Sequence, residues 1–178
     1  TRFLNICSAY IEETNAIVWQ DLCSNLKSIG HQLSNTPYEK SFQTFTVSLL
    51  DSIKLKTNWN PTSSDKHLEM ILRVTVLNTL GENGDPDTNS KANEIFEEYC
   101  TTGKIINPNI KSTVYSLVAK EGDQEVFDKL WTLQKDSELE EERVRILRSM
   151  TCFSDKLLLQ QLLEKSLSDE IRYHNTIG

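Results

Sequence analysis

The stretch "INPNIKSTVYSLVAKEG", Ile106 to Gly122, decides how the rest of the chain is read. Pro108 has no amide N–H, which costs nothing in the first turn of a helix, and Asn107 before it is a residue type that caps helix starts. Ile110, Val114, Leu117 and Val118 then recur at three- and four-residue intervals, the spacing that lines up side chains on one helix face. Tyr115 can pack its ring there and aim its hydroxyl at a partner. Lys111 stands one turn in and is expected on a partly solvated flank. The segment is an amphipathic helix and carries no catalytic group.

The same period extends in both directions. Between Asn15 and His31 the residues Trp19, Leu22, Cys23, Leu26 and Ile29 form one stripe. Val126, Phe127, Leu130, Trp131 and Leu133 form another. Val144, Leu147 and Met150 form a third, for which Ser137 and Glu140 have the spacing of a capping box. Leu158, Leu159, Leu162, Leu163 and Leu167 make the last. "SFQTFTVSLL" (Ser41 to Leu50) is rich in aromatic and β-branched residues, but Phe42, Phe45 and Leu49 fit one helix face. Breakers fall at Asn35-Thr36-Pro37, Asn60-Pro61, Gly81 to Pro86, Gly103 with Pro108, Gly122 and Ser154-Asp155. They leave about eight or nine helices of roughly ten to twenty residues, and short connections between amphipathic helices make antiparallel neighbours. The expected fold class is all-α, either a bundle or an irregular solenoid of antiparallel helix pairs, with residues 1–178 as a single domain.

Composition narrows the function classes. The 178 residues are 38% hydrophobic and 25% charged, with six glycines and four prolines, as in an ordinary folded chain. A net charge of −7 without a basic cluster argues against a nucleic-acid partner. The run "DSELEEERVR" (Asp136 to Arg145) is acidic first and basic after, which complements a helix dipole; it reads as a solvated face, with Glu141 paired to Arg145. No apolar run is long enough to span a membrane. Cys7, Cys23, Cys100 and Cys152 are far apart and read as small buried hydrophobes of a reducing compartment. Together with the lack of an N-x-S/T sequon, they favour a cytoplasmic location. The chain does not begin with methionine, which reads as an excised piece of something longer.

Candidate sites fall short one by one. "GENGDPDTN" (Gly81 to Asn89) sets Asp85, Asp87 and Asn89 at alternate positions, as in a calcium loop, yet Ser90 and Phe96 stand where that loop needs glycine and glutamate. It reads as a turn feeding a helix capped by Asn89. His31, His67 and His174 are widely separated, and none has a ligand-spaced neighbour. Trp19, Trp59 and Trp131 could line a groove but fit helix packing better. Nucleophile-elbow and phosphate-cradle motifs are missing. The expected catalytic, cofactor-binding and metal-ligating residues are therefore none.

Taken in order, these blocks match a known pattern. "INPNIKSTVY" resembles the I-x-P-x-x-R-x-x-V-Y segment in the C-terminal helical domain of M1-family zinc aminopeptidases of the puromycin-sensitive and oxytocinase-like type. Glu13 with "AIVW" (Ala16 to Trp19) is similar to the family's E-x-x-x-x-V-W helix. Trp59 stands at its tryptophan before a helix ending in Leu72-Arg73, and Gly122 follows the V-Y helix. "RILRSMTCFSDKLLLQQLL" (Arg145 to Leu163) resembles L-x-x-L-x-C-x-x-D-x-x-L-L, and "EIRYHN" (Glu170 to Asn175) resembles I-R-x-Q-D. Lys111 replaces the usual arginine, Phe127 a common tryptophan, and His174-Asn175 a Gln-Asp pair.

The resemblance implies an irregular superhelix of antiparallel helix pairs, a HEAT- or armadillo-like cap closing over a thermolysin-like catalytic domain that lies outside this chain. That domain would hold the zinc, with H-E-x-x-H and a distant glutamate; this chain would hold no cofactor. The implied partners are the protein's own catalytic domain and a peptide substrate whose N-terminal residue is removed. The implied role is to shape the substrate chamber, in a chain that stops short of the family's full helical domain. A helical-repeat scaffold that binds a partner protein, with a degenerate catalytic domain upstream, is the alternative.

Overall fold

A computed structural model of the chain describes residues 2–61 and 65–167. Among the described residues there are nine α-helices and no strand: α1 (Arg2–Ser8), α2 (Ala16–Leu33), α3 (Glu39–Lys54), α4 (His67–Glu82), α5 (Pro86–Thr102), α6 (Pro108–Glu121), α7 (Gln124–Asp136), α8 (Glu140–Met150) and α9 (Lys156–Ser166). The fold is all-α, as the periodicity predicts. "EIRYHN" and His174 lie outside the described residues. The chain divides into two compact units, Thr1–Ser90 and Lys91–Gly178.

In the first unit α2, α3 and α4 pack on one another. Their core holds Trp19, Leu22, Cys23, Leu26, Phe42, Leu49, Leu50, Ile53, Val76 and Leu80, with Cys7 added from α1. Burying one such large apolar side chain contributes roughly 1.5–3 kcal/mol, so this cluster outweighs any surface ion pair of the unit. Asn15 caps α2, its side chain accepting from the Ile17 N–H at 2.9 Å. Just upstream, Glu13 turns its carboxylate onto the Thr14 and Asn15 amides, each at 2.7 Å. Its carbonyl accepts the buried Trp19 indole N–H at 2.9 Å, so the glutamate and the tryptophan of the E-x-x-x-x-V-W block are tied together directly.

Two expectations fail in this unit. The helix said to end at Leu72-Arg73 runs on to Glu82, because Val76, Leu77 and Leu80 continue the buried stripe; Gly81, read as the start of a breaker, is buried within the helix, which stops only at Asn83-Gly84. Arg73, now in mid-helix, is buried. Its Nε donates to the Asn58 carbonyl at 2.8 Å, and its guanidinium meets Asp65 at 2.6 Å. Asn89 does not cap α5. The helix starts at Pro86, and Asp85 accepts from the Thr88 N–H at 3.0 Å and from its hydroxyl at 2.5 Å. A proline behind an aspartate is the stronger start signal, and Asn89 sits inside the helix.

In the second unit α6, α7 and α8 pack together. Asn107 caps α6 by accepting from the Asn109 N–H at 3.0 Å, and Ile110, Val114, Leu117 and Val118 are buried as the spacing predicts. Asp123 caps α7 and Asp155 caps α9. Phe127 stacks on Trp131 with centroids 6.3 Å apart and tilts against Phe153 at 5.6 Å. Lys165 of α9 lies 4.7 Å over the Trp131 ring. Ser137 closes α7 instead of opening α8: its N–H donates to the Leu133 carbonyl at 3.1 Å, and its hydroxyl donates to the Leu139 carbonyl rather than capping α8. The first turn of α8 relies on Glu140, Glu141 and Glu142, whose charges complement the helix dipole. In α9, Leu158 and Leu162 are buried but Leu163 and Leu167 face outward, so that stripe is narrower than expected.

Candidate functional site

α6 and α8 enclose an open groove of about 520 Å³. Ser112 and Ser116, one turn apart on α6, line one wall, and Glu140, Glu141, Val144, Arg145, Arg148 and Ser149 of α8 line the other. The i, i+4 spacing of α8 runs the charge from acidic at its N-terminus to basic at Arg148. The walls are stitched together where Ser116 donates to the Ser149 hydroxyl at 3.3 Å, and Ser149 in turn donates to the Arg145 carbonyl at 3.0 Å.

Behind this wall Glu142 is almost fully buried. Its Oε1 meets the Lys111 ammonium at 2.6 Å and accepts from the Tyr115 hydroxyl at 3.0 Å, while its Oε2 pairs with Arg145. Burial opposes ionisation of Glu142, but hydrogen bonds from Lys111 and Tyr115 and the charges of Lys111 and Arg145 hold its carboxyl below the usual range. Burial, and after it the Glu142 charge, pushes the Tyr115 hydroxyl far up, so Tyr115 acts only as a donor here. Lys111 also sits 5.6 Å over the Tyr99 ring and 5.9 Å over that of Tyr115, which Phe96 meets edge-on at 6.1 Å. The cluster is a clamp joining α6 to α8.

This corrects three readings. Lys111 is not on a solvated flank, since its side chain is 16% exposed and spent on Glu142. Arg145 pairs with Glu142, not Glu141. The acidic run is only partly a solvated face, because Glu142 points inward. The signal was present: Glu142, Ile146 and Ser149 recur at helical spacing and all three are buried. A glutamate at a core interval calls for a cation, and Lys111 has no acid one turn away on its own helix.

The other candidates resolve simply. Asp85 and Asp87 converge on the Lys54 ammonium at 2.8 and 3.1 Å, so an amine occupies the place a metal would take. Burial works against the charge on Asp85, yet the Lys54 and Thr88 hydrogen bonds hold its carboxyl below the usual carboxylate range. His31 and His67 are exposed on different helices. Trp19 and Trp131 are buried as packing residues and Trp59 is half-buried. Cys7 and Cys23 are buried, burial pushing the Cys23 thiol up to about 11, whereas Cys100 is half-buried and Cys152 exposed. Among the described residues no three His, Cys, Asp or Glu side chains are grouped to hold a metal. Those residues do not fit a zinc ion, and no described histidine lines the groove beside its hydroxyls.

Residues 1–177 match the family model described as "ERAP1-like C-terminal domain", across both compact units. The chain belongs to that family. It is 28% identical to "Aminopeptidase 2, mitochondrial" of Saccharomyces cerevisiae, over 92% of this chain and 17% of that protein. To "Aminopeptidase M1" of Arabidopsis thaliana it is 26% identical over 98% of this chain and 21% of the relative. To "Puromycin-sensitive aminopeptidase" of Caenorhabditis elegans it is 24% identical, with 92% and 17% covered. The chain thus spans about a fifth of the length of these relatives, and it corresponds to their C-terminal domain. No described helix is long and apolar enough to cross a membrane.

Proposed function

We propose that this chain is the non-catalytic cap domain of a zinc metallo-aminopeptidase that removes N-terminal residues from peptides. The observation that carries the reading is the family match over residues 1–177, combined with relatives that are all named aminopeptidases and are about five times longer. The zinc and the catalytic residues would lie in the protein's own catalytic domain, and residues 1–178 would act as one helical domain shaping the substrate chamber. The α6–α8 groove, with hydroxyls along one wall and opposite charges at its two ends, suits contact with the polar backbone of a peptide away from its cleaved end. A cytoplasmic location goes with this reading. The test is to replace Arg148 by alanine in the full-length protein and measure hydrolysis of a long peptide and of a single aminoacyl amide. A raised KM for the peptide alone supports contact in the groove, and equal behaviour of both substrates refutes it.

A partner-binding scaffold in a catalytically degenerate homologue is the alternative. The motif upstream separates the two, since an intact H-E-x-x-H favours the peptidase and a broken one the scaffold.

A further inference from the structure

The turn from α4 to α5 is built around Asn83-Gly84, the chain's one Asn-Gly dipeptide. α4 ends in a Schellman motif: the Asp85 N–H donates to the Leu80 carbonyl at 3.0 Å and the Gly84 N–H to the Gly81 carbonyl at 3.0 Å. The residue after the cap must be left-handed, and Gly84 has φ +80°, with nothing within 4 Å of where a Cβ would sit. The helix stop therefore demands glycine at 84, and glycine after asparagine is the pair most open to attack by the backbone nitrogen on the side-chain amide, because no side chain shields that nitrogen.

We propose that Asn83 is a spontaneous modification site, a deamidation site that the folded α4 C-cap holds shut and that local opening releases. In the reaction the Gly84 nitrogen loses its proton to solvent base and bonds to Asn83 Cγ. The Cγ–Nδ2 bond breaks and ammonia leaves, forming a succinimide. Water then adds to either imide carbonyl carbon, opening the ring to aspartate or isoaspartate. Water is the only co-reactant.

Three features of the cap block the first step. The attacking N–H is engaged on Gly81, the leaving amide Nδ2 donates to the Thr79 carbonyl at 2.8 Å, and Asn83 has ψ 12°, far from the eclipsed Cβ–Cα–C–N torsion a five-membered ring needs. Asn83 is only half-buried and Gly84 is exposed, so water reaches the turn and it is bonding, not exclusion, that protects it. Once formed, the product keeps the cap from closing again. A carboxylate at 83 cannot donate to Thr79 and adds negative charge at a helix C-terminus. Isoaspartate also lengthens the backbone by one carbon inside the Schellman bonds.

The experiment ages the full protein at pH 8, native and in urea, and follows deamidation by mass spectrometry of the tryptic peptide Val74–Lys91, which also contains Asn78 and Asn89 as internal references. The expected result is conversion at Asn83 ahead of both references in urea, slowed on the order of tenfold or more in the native protein. Low, non-denaturing urea should raise the native rate, and the aged fraction should melt at a lower temperature. Equal native and unfolded rates, or faster conversion at Asn78 or Asn89 in urea, overturns the proposal.

Discussion

At the scale of single residues, Glu142 governs most of what can be tested. Removing Lys111 leaves a buried carboxylate with Arg145 as its remaining ion-pair partner, so Lys111→Ala is expected to cost about 2 kcal/mol, between the values of an exposed and a fully buried broken pair. Lys111→Arg, which keeps a cation facing Glu142, should cost far less, and urea melts of the two variants decide it. Acid dependence follows with a definite sign. Glu142 and Asp85 both have carboxyls held below their unfolded values near ~4. The stability they contribute is fully present above that unfolded value and is lost as pH falls through the folded one. The protein should therefore weaken below about pH 4, and Glu142→Gln should be less stable at pH 7 but lose less between pH 5 and pH 3. A variant with the wild-type slope would show that Glu142 is not responsible. The buried apolar face of α6 was legible from spacing alone, so Val114→Asp, which puts a charge at a fully buried position, should unfold the protein or cost several kcal/mol. The clamp was not legible, because Lys111 and Glu142 are 31 residues apart and no pattern within either helix states that they meet.

At the scale of elements, the sequence specified helices better than their ends. Asn107 caps α6 as its place before Pro108 predicts; Asn15 and Asp155, read only as the edge of a stripe and as a breaker, cap α2 and α9, since a short polar side chain before an apolar stripe has one obvious use. The errors came where two signals competed: Ser137 could open α8 or close α7, and Asp85 and Asn89 could each begin α5. Local spacing cannot choose between such options, whereas backbone bonding with the preceding helix does. Gly122 shows how tight one junction is. A Cβ there would stand 2.7 Å from Val126 Cγ1 and 2.8 Å from the Val118 carbonyl oxygen, the latter fixed in the backbone of α6. Gly122→Ala should cost about 1–3 kcal/mol through forced separation of α6 from α7. Combining it with Val126→Ala, which removes Cγ1 but keeps the Val126 Cβ at 2.9 Å, should recover only part of that loss in a thermal melt, because that Cβ and the carbonyl remain. Full recovery would place all the strain on the valine.

At the scale of the whole molecule, a cap role has consequences for zinc. Catalytic zinc takes three protein ligands and a water, with a carboxylate placed to accept a proton. The described residues offer exposed histidines on separate helices, aspartates already neutralised by Lys54, and a glutamate neutralised by Lys111 and Arg145. Asp85, Asp87 and Glu142 are committed to cations of the fold, and recruiting one of them would break an ion pair that ties neighbouring elements together. Residues 1–178 expressed alone should hold no stoichiometric zinc after dialysis and release no amino acid from peptides. The full-length protein should hydrolyse aminoacyl amides, lose that activity to a chelator and regain it with added zinc. If the isolated chain instead retained tight zinc, and its turnover vanished on mutating His31, His67 or His174, the active site would lie inside this chain and the cap reading would be wrong. If the full-length protein bound peptide but neither bound zinc nor cleaved, the scaffold reading would replace it.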